Sequence, residues 1–250
     1  MDNDEYFLFD IRRLAPDRES GSVYDELFEA QEFEHIESFY LWVMRLVNPR
    51  PGSTFLDVAC GAGALVRLAR KAGVCAAGVD ISEVGARVAC SRVEGAVAVG
   101  AGERLPFASA SFDYVTNMGS LEHFFSPLLG VKEMARVLKP GGKAFILVPN
   151  TFSLLSNIWL AFRTGRTSVD EQPIQRYGAR ADWEALIRAG GLVVKKTWKY
   201  ERSWPRVLSD WHYYLKRPKE LLRLFAAPFV PLNLAFCFMF ACEHTEGGVC

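Results

Sequence analysis

The stretch Phe55-Leu-Asp-Val-Ala-Cys-Gly-Ala-Gly-Ala-Leu65 decides how the rest of the chain is read. Residues 54–59 have the composition of a buried strand, a glycine-containing turn follows, and a helical pattern occupies 62–71 until Gly73 closes it. A strand that turns through glycines into a helix lets backbone approach a ligand closely, and the helix N-terminus attracts negative charge. A dinucleotide site uses the same geometry. Its fingerprint is GxGxxG, however, whereas Gly61-Ala-Gly63 is followed by Ala64, Leu65 and Val66 with no third glycine. Residues 74–79 read as a second strand ending at Asp80, where a carboxylate can accept two hydrogen bonds from ribose hydroxyls. The pair points to an adenosine-containing ligand at the carboxyl ends of parallel strands, with a nicotinamide and an adenosylmethionine site both still open.

Further out, the alternation continues. Residues 82–93 form a helix with Ser82 as N-cap, and 96–99, 114–117 and 143–148 read as strands, with a helix at 127–138. Strands alternating with helices at this spacing imply βαβ units, hence a parallel sheet with right-handed crossovers. Upstream, 23–47 reads as one long amphipathic helix, carrying Leu27, Phe28, Ile36, Phe39, Tyr40, Val43 and Leu46 at helical spacing, and Asn48-Pro-Arg-Pro-Gly52 ends it. After Pro149 the pattern loosens into an aromatic-rich helix at 152–162, a polar loop, a helix at 180–189 and a strand at 192–200. A stretch of about 33 residues then leads to a Phe-rich final strand at 234–242. The expected organisation is a helical lid over 1–50 and one domain over 51–250, with insertions at about 151–180 and 201–233.

With 250 residues, 50% of them hydrophobic and 23% charged, the chain has material for one core and lacks the bias of a disordered or coiled-coil protein. It carries 29 basic and 29 acidic residues, a balance that argues against a nucleic-acid binder. The charges are unevenly spread: 1–37 holds twelve acids and three bases, 195–223 nine bases and three acids. The six cysteines form no CxxC pair and read as reduced thiols. The acidic start MDNDEYFLFD has no apolar signal region, so a cytoplasmic location is expected. Residues 224–242 are apolar except for Asn233 and long enough to span a bilayer, but Pro228, Pro231 and Asn233 would break a spanning helix, and a buried strand is expected.

Beyond the glycine turn and Asp80, five motifs occur in order between Thr54 and Asn150: LDVACGAG, GVDIS (Gly78 to Ser82), GERLPFASASFDYV (Gly102 to Val115), Leu121-Glu-His-Phe124, and Glu133-Met-Ala-Arg-Val-Leu-Lys-Pro-Gly-Gly142 with Val148-Pro-Asn150. In these the chain resembles the class I S-adenosylmethionine-dependent methyltransferases. The resemblance implies a Rossmann-like α/β fold, a mainly parallel seven-stranded sheet of order 3-2-1-4-5-7-6 with the last strand antiparallel, and S-adenosyl-L-methionine as cofactor. It also implies that Asp57, Ala59, Gly61 and Gly63 cradle the methionyl portion, Asp80 holds the ribose, Ile81 packs on the adenine, Gly102 and Glu103 flank the adenine edge, and Asn117 lines the sulfonium end. Two positions depart from the family: Ala59 stands where many members have Gly, and Ala101 where an Asp commonly accepts from the adenine amino group. One lost hydrogen bond of this kind weakens binding by roughly 0.5–1.5 kcal/mol.

Methyl transfer asks the protein mainly for positioning, plus a base if the acceptor carries a proton. His123, at the mouth of the fourth strand, is the candidate base, against the alternative of a turn-packing histidine; His35 and His212 rank below it. Tyr24 is a candidate cover for the cofactor. Asn117-Met-Gly-Ser120 is no NPPY-like tetrad and there is no Pro-Cys nucleophile, which disfavours methylation of DNA bases. A small-molecule or glycan acceptor remains, most simply a hydroxyl; Gln172 to Tyr177 and Pro231 to Leu234 are similar to methyltransferases of bacterial surface-glycan assembly. N- or C-methylation and a non-catalytic binding subunit are the alternatives, and a dehydrogenase is more distant. Residues 202–232 interleave aromatic and basic side chains and read as a lid, a dimer interface or a membrane-surface contact. The acidic N-terminus and the basic 195–223 segment are expected to pair as a lid over the acceptor.

Overall fold

The computed structural model describes residues 5–12, 20–29, 35–93, 96–169 and 172–244. In chain order its elements are β1 (Leu8–Arg12), α1 (Ser20–Glu29), α2 (Glu37–Val47), β2 (Thr54–Val58), α3 (Ala64–Lys71), β3 (Cys75–Asp80), α4 (Glu83–Val93), β4 (Val97–Val99), β5 (Phe112–Met118), α5 (Pro127–Val137) and β6 (Leu138–Pro149). They continue with α6 (Trp159–Thr164), β7 (Ile174–Gly178), α7 (Arg180–Ala189), β8 (Leu192–Tyr200), α8 (Leu208–Leu215), α9 (Pro218–Ala226) and β9 (Cys237–His244).

Phe55, Leu56 and Val58 of β2 are fully buried, as a parallel strand covered on both faces requires. Seven strands pair in the order β4-β3-β2-β5-β6-β9-β8, parallel from β4 to β6, with β9 antiparallel to both its neighbours. Counted by entry into the sheet this is 3-2-1-4-5-7-6, the expected order. The chain reverses direction of travel across the sheet between β2 and β5, so the carboxyl ends of these two strands border the crevice where ligands of such sheets bind. One face is packed by Phe39 and Val43 of α2 with Leu65 and Val66 of α3. The other is packed by Val131 and Met134 of α5 with Trp183, Leu186 and Ile187 of α7. Trp183 is fully buried, and its indole N–H donates to the Pro149 carbonyl at 2.8 Å, locking α7 to the end of β6.

Three expectations change. The long N-terminal helix is two helices: Ile36 is extended (ψ 150°), and α2 starts afresh where the carboxylate of Asp210 accepts from the Ser38 N–H at 2.8 Å. The final strand begins at Cys237, because Leu232–Leu234 forms a single 3₁₀ turn. An antiparallel ribbon of β1 and β7, pairing Leu8 with Gly178 and Arg12 with Ile174, had no counterpart in the sequence reading. The stretch after Tyr200 holds α8 and α9. Among the described residues no helix is long and apolar enough to cross a membrane. Cys60, Cys75, Cys90, Cys237 and Cys242 are free thiols; Cys250 lies outside the described residues.

Candidate active site

The turn after β2 is held by backbone: the Cys60 N–H donates to the Val79 carbonyl at 3.0 Å and the Gly63 N–H to the Cys60 carbonyl at 2.9 Å. Ala59, Gly61 and Gly63 all take positive φ, 59°, 53° and 76°. For the two glycines this conformation is free, whereas Ala59 accepts a strain of roughly 1–2 kcal/mol, which accounts for the glycine common at this point in the family. Asp80, at the end of β3, closes the turn from below. Its carboxylate accepts from the Gly61 N–H at 2.7 Å and the Ser82 N–H at 2.9 Å, and burial pushes its pKa up against those bonds. Ser82 caps α4 as expected, accepting from the Gly85 N–H at 2.9 Å. It also donates to Asp25 of α1 at 2.6 Å, and Asp25 accepts a second bond from the Val84 N–H. The Ser82 hydroxyl, followed by the Val84 N–H, holds Asp25 below its ordinary carboxylate range.

Asp57 is buried in the same floor. Burial pushes its pKa up to about 7, the Thr116 hydroxyl donating at 2.6 Å opposes this, and the nearby Asp80 carboxylate adds to it. A carboxyl poised there gains most from a neighbouring positive charge. Above this floor is a cavity of about 420 Å³, and Asp57, Ala59, Gly61, Asp80, Ile81, Gly102 and Glu103 of the expected set line it, together with Ala101 and Tyr24. Gly63 and Asn117 do not. Gly63 sits at the start of α3, where a Cβ would lie 3.0 Å from that of Ala89. Asn117 is fully buried: its amide donates to the Val58 carbonyl at 3.1 Å and its oxygen accepts from the Leu121 N–H at 2.9 Å, so it shapes the turn that brings Met118, Gly119 and Ser120 to the cavity. Tyr24 donates to the Gln172 side chain at 3.3 Å, and the Phe28 ring lies over Gly61 of the glycine turn, where a Cβ would meet it at 3.4 Å, and against Gly85 of α4, where a Cβ would meet it at 2.8 Å. Gly102 makes room for Phe124, whose ring a Cβ there would overlap.

A second cavity, about 410 Å³, adjoins the first, and His35, Gly119, His123 and Gln172 line both. Its remaining wall comes from Glu122 and from distant segments, including Ser156, Ser168, Tyr177 and Tyr200. His123 stands at the junction. A backbone carbonyl can only accept, so the 2.5 Å contact between Nδ1 and the Ile174 oxygen fixes the proton on Nδ1 and leaves Nε2 as an acceptor, 3.7 Å from Glu122 Oε1. Burial, with the Arg176 guanidinium adding to it, lowers the His123 pKa to about 4, so the ring is neutral at physiological pH. His35 is likewise lowered to about 4 by burial. His212 is exposed.

The turn bearing His123 is gripped from two sides. Arg176 of β7 donates to the carbonyls of Glu122 (3.3 Å), Phe124 (2.5 Å) and Phe125 (3.3 Å), while its Nε reaches Asp10 of β1 at 3.1 Å. Glu103 accepts from the Phe125 N–H at 2.7 Å, so its carboxylate serves the turn as well as bordering the cavity. Arg176, Asp10, Asp25, Phe28 and Gln172 were absent from the sequence-based set. The alternating run Leu8 to Arg12 was the available signal for β1, but a five-residue strand with no hairpin partner close in sequence does not announce its pairing.

The expected charge pairing of the two appendages is not what the described residues do. Asp10 and Asp25 bind Arg176 and Ser82, and Arg202 and Arg223 bind Glu220 of their own segment. The appendages meet instead through caps, Asp210 on the Ser38 N–H and the Arg206 N–H on the Ser38 hydroxyl at 2.7 Å. The buried end of α2 needs its N–H groups satisfied, which selects a cap over a surface ion pair.

This geometry, an adenosine-sized cavity over a glycine turn at the strand reversal, agrees with the comparisons. Residues 56–146 match the family model described as a methyltransferase domain. The fold is that of the class I S-adenosylmethionine-dependent methyltransferases. Over 150 residues, 56% of its length, the chain is 33% identical to a demethylmenaquinone methyltransferase of Bacillus licheniformis, of which it spans 65%. It spans less than two thirds of the length of the curated relatives it matches. Among solved structures, the methyltransferase in complex with the Haloferax volcanii Trm112 activator superposes with a TM-score of 0.62 at 18% identity, covering 90% of this chain and 95% of that one. The cyclase SpnF also superposes with a TM-score of 0.62, at 17% identity over 90% of this chain and 94% of that one. At these identities the structures speak to the fold, and the cyclase shows that this fold carries other reactions too.

Proposed function

We propose that this protein transfers the methyl group of S-adenosylmethionine to a small-molecule or glycan acceptor bound in the second cavity, at a hydroxyl. The observation that carries the reading is the junction of the two cavities at His123 and Gly119, which gives a cofactor and an acceptor separate chambers with one shared wall. The first chamber suits the cofactor on its donor set. Asp80 supplies a carboxylate for a ribose diol, Asp57 a carboxyl that ionises beside a cation, and Gly61 a backbone that presents no side chain. The cofactor brings an already activated methyl group, so the protein's own task is alignment and proton removal.

His123 is placed for the second task. Its neutral Nε2 accepts the hydrogen bond of an acceptor hydroxyl, and the proton becomes strongly acidic only as the oxygen acquires its new bond, so a ring of low basicity suffices. The Glu122 carboxyl 3.7 Å away is positioned to offset the charge on the ring after transfer, and the Ile174 carbonyl keeps the ring oriented. Arg176 acts one step back, holding the turn.

Titration calorimetry with S-adenosylmethionine, followed by transfer of a labelled methyl to a panel of hydroxylated acceptors, tests the reading; absence of cofactor binding by the folded protein would overturn it. A second reading, methylation of a ring carbon, draws on the demethylmenaquinone in the relative's name. The carbon chemical shift of the transferred methyl separates an oxygen-bound from a ring-bound product.

A further inference from the structure

We propose that the C-terminal appendage is a membrane-docking surface that rests on anionic lipid and sets the wall of the second cavity against the bilayer. The observation begins with α6. Its sequence, Trp159 to Thr164, is WLAFRT, and none of its residues is buried; Phe162 is 81% exposed and Trp159 53%. An apolar helix without a buried face is unpartnered in the isolated chain. It is not alone. On α8, α9 and the turn after them, Leu208 is 88% exposed, Leu215 68%, Leu222 71% and Phe229 86%. The two parts touch, because Arg223 of α9 donates to the Leu155 carbonyl at 2.8 Å in the turn leading into α6. Single exposed apolar residues are ordinary, but an assembly of large ones on adjoining helices marks an interaction site.

Charge selects the occupant. Arg163, Arg166, Arg206, Lys216, Arg217 and Lys219 are exposed around these residues. The only acids between 202 and 236 are Asp210, buried as the cap of α2, and Glu220, half-buried and bridged to Arg202 and Arg223. Residues 151–169 contain no acid. Aromatic and leucine side chains among exposed cations match a bilayer interface carrying anionic headgroups, where rings enter the acyl boundary and cations stay with phosphate. A second copy of this chain would set those cations against each other.

The placement has a consequence for the acceptor, which rests on the methyl-transfer reading above. The segment that exposes Trp159 and Phe162 also lines the second cavity with Ser156 and Ser168. A docked protein therefore presents this cavity next to lipid, which suits an acceptor group borne on a membrane-anchored carrier.

The test uses the full chain and vesicles of phosphatidylcholine with or without phosphatidylglycerol. Co-sedimentation is expected with the phosphatidylglycerol vesicles and is expected to weaken in high salt. The variant Phe162→Ser/Phe229→Ser should bind these vesicles at least roughly tenfold less tightly, each lost ring forfeiting its buried apolar area, and Lys216→Glu/Arg217→Glu should show a smaller loss. Calorimetric binding of S-adenosylmethionine should stay unchanged in both variants, which separates failure of docking from failure of the methyl-transfer reading. Equal binding to neutral vesicles and no binding to either kind would each overturn the proposal. So would a wild-type dimer in sedimentation velocity that Phe162→Ser/Phe229→Ser converts to monomer.

Discussion

The two cavities that meet at His123 are made in different ways. The first is lined mainly by one region of sequence, from Asp57 to Leu129, and is built on a turn with positive φ at Ala59, Gly61 and Gly63 that follows a strand end. The second draws on His35, on Gly119 to His123, on 147–177, on Tyr200 and on Phe236 and Cys237, segments far apart in sequence. A ligand common to a whole family can be met by backbone geometry that tolerates sequence change around it. An acceptor particular to one enzyme needs side chains, and side chains from distant segments can vary without disturbing the sheet.

That contrast can be broken by substitution. The largest effect is expected at the junction. His123→Asn keeps a donor for the Ile174 carbonyl and removes Nε2, so turnover should fall roughly 10²–10⁴-fold while calorimetry shows S-adenosylmethionine affinity unchanged. If both fall together, His123 belongs to the first cavity alone. Next, Asp80→Ala removes the ribose acceptor and strands the Gly61 and Ser82 N–H groups. Cofactor affinity should drop by about 3 kcal/mol, roughly 100-fold, measured by the same calorimetry. Arg176→Met should lower kcat by about tenfold, the cost of a slightly misplaced reacting group, and leave cofactor affinity intact; a loss confined to KM would mean that Arg176 contacts the acceptor instead.

Smaller effects sharpen the first cavity. Ala101→Asp should tighten S-adenosylmethionine by roughly 0.5–1.5 kcal/mol, and no gain by calorimetry would remove Ala101 from the adenine edge. Ala59→Gly relieves about 1–2 kcal/mol of left-handed strain but gives back up to about 1 kcal/mol to the unfolded chain, so a small rise in Tm is expected.

The titrating groups oppose one another. Asp57, raised from 3.8 to about 7, adds stability that is complete below its ordinary pKa and lost as pH rises towards 7. His35 and His123, lowered from 6.5 to about 4, add stability complete above 6.5 and lost as pH falls towards 4. Thermal melts should therefore lose Tm on the acid side, less so in His123→Asn. Because a bound cation favours ionised Asp57, cofactor affinity should rise with pH through about neutrality; a flat profile would place the cation elsewhere.

The first cavity was largely legible from the chain. The strands expected at 54–59 and 74–79 fall within one residue of β2 and β3, and seven of the nine residues expected to bind cofactor line the cavity. The two that do not, Gly63 and Asn117, were carried by the motif but are spent on α3 and on the turn after β5. Proximity in sequence to a site was not enough to tell a wall from its support.

By itself the sequence determined the sheet and its glycine turn, because apolar periodicity, caps and positive-φ positions are local and act within a few residues. Only the tertiary structure decided that Arg176 and Asp10 brace the turn of His123, that Asp210 starts α2, and that among the described residues the appendages join through caps. Those contacts join residues 52, 166 and 172 positions apart; the first and last satisfy backbone groups that become buried only when the chain closes, and the Asp10 carboxylate pairs the guanidinium that makes the first.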